Sequence, residues 1–121
     1  MKESASPKRF DLEERTQKFA EAVRSFVKRL PKTTANTEDS RQVVRSSGSV
    51  GANYIEANEA ISKKDFVLRI KICRKESKET RYWLALIDCG GNNTLENERQ
   101  QLLQEAKELM LIFSTIMRKS V

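Results

Sequence analysis

Five cations could act together: Lys64, Lys71, Lys75, Lys78 and Arg81. Their spacing gathers them on one side of a helix, spread over roughly 25 Å at 1.5 Å per residue. A cationic row of that length suits phosphate contacts, which give affinity with little sequence discrimination. Tyr82 lies among them and could stack on a base, although one aromatic adds little. A charge run is also the ordinary make-up of a solvated helix face, and on charge alone that plain reading stands slightly ahead.

Other chemistries find no residues to carry them. The chain has no histidine, which removes a histidine base, a serine–histidine pair and a histidine metal site. Cys73 and Cys89 have no zinc-type spacing. Cys73 falls in an apolar stripe and reads as a small core residue, and the sequence leaves a disulfide open. The segment GSVGA at positions 48–52 has neither a preceding strand nor a following GK[ST], so it is no phosphate loop and no dinucleotide fingerprint. A diiron bundle site needs Glu-x-x-His elements. No enzymatic activity, metal or cofactor is therefore expected. Asn53, Glu56 and Glu59 sit opposite the apolar stripe of their helix. They form either a solvated face with salt bridges to the next helix, or pairs across a subunit interface with Arg69 or Arg74.

These residues must be positioned by helices. Two prolines and four glycines in 121 residues, with no alternating polar–apolar runs, argue against strands. A basic tail is expected over residues 1–9. Asp11 with Glu14 offers a capping box for a first helix over about 12–30, stopped by Pro31. Residues 32–36 form a polar linker, and Thr37 is the expected cap of a second helix over about 38–60. Val43, Ser47, Val50, Tyr54, Ala57 and Ile61 form one stripe that runs into and through the stretch Arg45 to Ile61. Gly48 and Gly51 cost that helix about 1 kcal/mol each relative to alanine. The expected compensation is close approach of another helix backbone; the competing reading is a loop from Gly48 to Gly51.

Ser62 with Asp65 looks like the cap of a third helix over about 63–89, ended by Gly90–Gly91. A single bent helix through Ala60–Lys64 is the alternative to a tight hairpin there. Phe66, Ile70, Cys73, Ser77, Thr80, Leu84 and Ile87 form the core face of this helix. A flank of Arg69, Ile72, Glu76, Glu79 and Trp83 is too apolar for solvent and too charged for a core. It implies a second contact, within the bundle or between subunits. Thr94 is the expected cap of a fourth helix over about 95–119, whose face of Leu95, Leu102, Leu103, Ala106, Leu109, Met110, Phe113, Ile116 and Met117 gives the clearest amphipathic signal. Four helices with short connections make an all-α, antiparallel up-and-down four-helix bundle, in one domain over residues 10–121.

The net charge is +6, and residues 62–89 hold eight basic and four acidic side chains. That asymmetry raises the prospect of a polyanionic partner. Apolar stretches fall far short of a membrane span, and two cysteines without a signal peptide fit a reducing cytoplasm.

Three groups of residues then carry a resemblance. Ser49-Val50-Gly51-Ala52-Asn53-Tyr54-Ile55-Glu56-Ala57, Lys64-Asp65-Phe66, and Arg74-Lys75-Glu76 with Glu79-Thr80 and Tyr82-Trp83-Leu84 together resemble the 23S rRNA intervening-sequence protein family. The likeness is strong over the second and third helices and rests on pattern alone in the first and fourth. It implies a bundle that assembles as a ring, commonly a homopentamer. Related accessory proteins of diversity-generating retroelements look like basic barrels that bind nucleic acid and a reverse transcriptase. A ring would multiply the lysine stripe into a strong polyanion surface. The resulting expectation is a non-enzymatic oligomer binding RNA or DNA, or else a scaffold that recruits a protein such as a reverse transcriptase. Asn53, Glu56, Arg69, Glu76 and Trp83 would make oligomer or interhelix contacts.

Overall fold

The last three helices each begin where a side chain supplies a hydrogen-bond partner for the open first turn. In the computed structural model, which describes residues 7–121 and side chains from Leu12 onward, there are four: α1 (Pro7–Val27), α2 (Thr34–Asn58), α3 (Lys63–Leu86) and α4 (Asn93–Ser120). No strand occurs among the described residues.

Several ends differ from the sequence expectation. Residues 1–6 of the expected tail lie outside the described residues, and Pro7–Arg9 already belong to α1. Asp11 therefore sits inside the helix rather than at its cap; proline at the first helical position has its φ preset and no amide to satisfy. At the other end α1 stops at Val27, and Arg29 and Leu30 donate to Phe26 and Val27 carbonyls in a tighter turn. Pro31 disfavours helical backbone in the residue before it.

Thr33, not Thr37, caps α2: its hydroxyl accepts from the Asn36 amide at 3.1 Å. Asn92, not Thr94, caps α4 by accepting from the Leu95 amide at 3.0 Å. Ser62 caps α3 from the Asp65 amide at 3.0 Å, so two helices and a short turn, not one bent helix, span Ala60–Lys64.

The third helix ends at Leu86, short of the glycines, because Asn36 seizes the chain beyond it. The Asn36 amide group donates to the Asp88 and Pro31 carbonyls at 2.8 and 3.0 Å, while its oxygen accepts from the Asp88 amide at 3.0 Å. One buried side chain thus ties three backbone groups at the entry of α2 and the exit of α3. Gly90 and Gly91, at φ +65° and +76°, then supply the left-handed turn into α4.

Helix α2 packs on α3, α3 on α4, and α1 on α2, while α1 and α4 touch least. Phe26, Val43, Val50, Ile70, Leu84, Leu109 and Phe113 are wholly buried between them. Tyr54 and Phe113 meet at 5.8 Å between ring centres. A polar seam joins α2 to α3. Thr80 donates to the Glu76 carbonyl at 2.7 Å, which leaves Ser46 to donate to Thr80 at 2.7 Å. Gly48 and Gly51 are helical, not a loop. A Cβ on Gly51 would stand 2.9 Å from the Thr16 hydroxyl and 3.7 Å from the Thr16 carbonyl carbon. The expected approach of a second helix backbone is therefore present at this glycine.

Candidate nucleic-acid interface

All six residues of the third helix's expected core face from Ile70 to Ile87 are buried, and Phe66 packs against them half-buried. That placement turns the opposite side of α3 outward. Lys64, Lys71, Lys75, Lys78 and Arg81 are all exposed. At about 100° per residue, Lys64, Lys71, Lys75 and Lys78 lie within about 60° of one another, with Arg81 at the edge. The helix thus brings four of the five into one narrow row and sets the fifth beside it.

The acidic residues of α3 have partners outside that row. From α2, Arg45 reaches Glu79 at 2.7 Å and Glu76 at 3.7 Å. Asp65 has Arg69 at 4.0 Å. Among the described residues, Lys75 is the one cation of the five with a carboxylate near it, Glu76 at 3.8 Å. The basic row therefore keeps nearly all of its charge.

The flank beside the row faces α2 within the same chain. Arg69 donates to the Asn53 oxygen at 3.0 Å. Glu76 is only 6% exposed, and among the described residues one of its carboxylate oxygens has no hydrogen-bond partner. Trp83 is half-buried against the core, its indole N–H also without an acceptor among the described residues. Glu56 stays in solvent. Asn53, Arg69, Glu76 and Trp83 are thus positioned by helix packing, and Glu56 does not join them.

Sequence reasoning placed Tyr82 among the cations but missed Leu68 and Leu86 beside it. Leu68, Tyr82 and Leu86 are exposed by 54%, 58% and 50%, and all three fall within about 40° of Lys64 around the helix. Apolar side chains thus interleave the cations. The same helical count contains the signal, since Leu68 and Leu86 fall outside both the core face and the flank of Arg69 and Trp83. At the α2–α3 corner Ile61, expected on the apolar stripe, is 94% exposed, because the chain has already left α2 at Asn58.

Neither cysteine offers a reactive group. Both are free and buried; burial pushes the Cys73 thiol up to about 12 and raises that of Cys89 as well. No described helix is long and apolar enough to cross a membrane.

A family model described as 23S rRNA-intervening sequence protein matches residues 8–115. Among solved structures, the chain is similar to a protein of unknown function from the S23 ribosomal protein family of Bacteroides thetaiotaomicron. The two share 25% identity and a TM-score of 0.72, over 87% of this chain and 96% of that one. No curated protein matches.

Proposed function

The chain belongs to the 23S rRNA-intervening sequence protein family, and on that footing we propose that it is a non-enzymatic protein binding RNA or DNA through phosphate contacts. The observation that carries this reading is the segregation of charge on α3. Five exposed cations share one side, while Glu76 and Glu79 pair with Arg45 of α2 and Asp65 pairs with Arg69 along α3 itself. A row with one sign removed from its neutralising partners attracts a polyanion.

The protomer is read as an antiparallel up-and-down bundle. Support comes from the order of pairings: Asn36 with Asp88, Ser46 with Thr80 and Asn53 with Arg69 run in opposite directions along α2 and α3. Assembly into a homo-oligomeric ring, a pentamer by resemblance, would repeat the row around the particle. Two free cysteines fit a reducing cytoplasm.

The test is to replace Lys71, Lys75 and Lys78 by glutamate. Binding to RNA and DNA is expected to be lost while helicity and particle mass are unchanged; affinity that survives would mean that the row is only solvated. For the native chain, four or five phosphate contacts per row predict a slope of log K against log salt of about −3 to −4.5.

A second reading is a scaffold for a protein partner such as a reverse transcriptase, and the half-exposed Leu68 and Leu86 favour it. It requires a partner that stays bound after nuclease treatment.

A further inference from the structure

We propose that the α3 row selects single-stranded over duplex nucleic acid, with Tyr82 as the platform for one unstacked base; this rests on the polyanion reading of the same row. Tyr82 is 58% exposed and shares its azimuth with Lys64, between the directions of Lys75 and Lys78. A phosphate that meets Lys78 or Arg81 therefore brings its own base beside the ring.

Two features suit Tyr82 to stacking rather than to chance exposure. First, it is held. Its ring meets Trp83 edge to face, 5.1 Å between centres and 73° between planes, and Trp83 is packed against the core. An aromatic already fixed in place loses little conformational freedom when a base settles on it. Second, Leu86 lies one turn further along the same side at 50% exposure, which extends the apolar ledge beyond the ring.

A duplex cannot use this ledge. Its bases are stacked on each other, and a convex helix face laid along the backbone meets phosphate and sugar. A single strand can turn its bases to an aromatic face while its phosphates follow the cations. The charge row then supplies affinity for both forms, and Tyr82 distinguishes them.

The experiment uses the full chain with a fluorescein-labelled 12-nucleotide oligouridine and a 12-base-pair RNA duplex, at one fixed salt concentration. Wild-type protein is expected to bind the single strand more tightly. Tyr82→Ala should lower single-strand affinity by about tenfold, the effect of removing one base–aromatic contact, and leave duplex affinity unchanged. Tyr82→Trp should retain the preference. The chain's single tryptophan, Trp83, gives a second readout: its emission should change on binding the oligouridine and stay constant on binding inorganic polyphosphate.

If Tyr82→Ala weakens both probes equally, or neither, while charge reversal of the lysines abolishes both, the stacking role is overturned and the phosphate reading stands. If charge reversal leaves both probes bound, the phosphate reading falls. If wild-type protein binds neither probe, both fall, and the Leu68–Tyr82–Leu86 ledge belongs to a protein partner.

Discussion

Thr16 of α1 and Gly51 of α2 lie in contact where the two helices cross. An added methyl at Gly51 would press on the Thr16 hydroxyl at 2.9 Å and its Cβ at 3.2 Å, and Thr16 is buried with its hydroxyl donating to the Leu12 carbonyl. Overpacking there should outweigh the gain of about 1 kcal/mol that alanine brings to a helix. Gly51→Ala is expected to destabilise by about 1–3 kcal/mol. At Gly48 the nearest atom is the far end of the Arg24 side chain, at 3.3 Å, which can swing aside. Gly48→Ala should therefore be neutral or stabilise by up to about 1 kcal/mol. Urea midpoints of the two variants separate these outcomes; equal losses would refute the contrast. The thiol of Cys73, held at about 12 by burial, should resist alkylation at pH 8 in folded protein. It should react readily in guanidinium, because the thiolate is the nucleophile. Rapid labelling of the native chain would show that α2 and α3 open far more often than their packing implies.

Between elements, the ties are polar and uneven. Asn36 satisfies backbone groups at the exit of α1 and of α3 at once. Its replacement by alanine leaves buried backbone groups without partners and should cost roughly 2–3 kcal/mol, more than loss of the Ser62 cap at about 1 kcal/mol. Thermal unfolding of Asn36→Ala beside Ser62→Ala checks that order. Ion pairs join α1 and the turn after it to α4: Arg15 with Glu105 at 2.7 Å and Glu108 at 2.8 Å, and Arg29 with Glu98. Gln104 and then Arg15 hold the Glu108 carboxyl below its ordinary value, and Gln100 and Arg99 do the same for Glu96. A carboxylate with a lowered folded pKa binds fewer protons folded than unfolded. Its stabilisation is complete above the unfolded value of about 4.3 and fades as pH falls below it. The melting temperature should hold from pH 7 to about 5 and drop beneath pH 4.3. Glu108→Gln should make that acid limb shallower, and an unchanged limb would place the acid sensitivity elsewhere.

For the molecule as a whole, charge and assembly are linked. A chain of 13.9 kDa with net charge +6 repels its copies unless a polyanion or paired interfaces offset the repulsion. A pentamer would carry five times that charge and a mass about five times larger, and light scattering reads the mass directly. A monomeric particle at every concentration would remove the ring, while the α3 row would remain a single-chain surface to be tested by its salt slope.

Much of this architecture is written in local periodicity. The buried face of α3, the cap at Ser62 and the outward set of the five cations all follow from counting residues around a helix. Such counting needs no knowledge of a neighbour. Helix starts were less legible because several cap-forming residues stand side by side. Thr33, Thr34 and Thr37 compete at one start, and Asn92, Asn93 and Thr94 at another, and the chosen one depends on where the preceding chain is held. Tertiary structure alone decided the partners. Arg45 draws Glu76 and Glu79 away from the lysine row across more than 30 residues of chain, and Asn36 reaches Asp88 across 52. Periodicity fixes the direction in which a side chain points; only the packed bundle fixes what it meets, because that depends on residues the local pattern never contains.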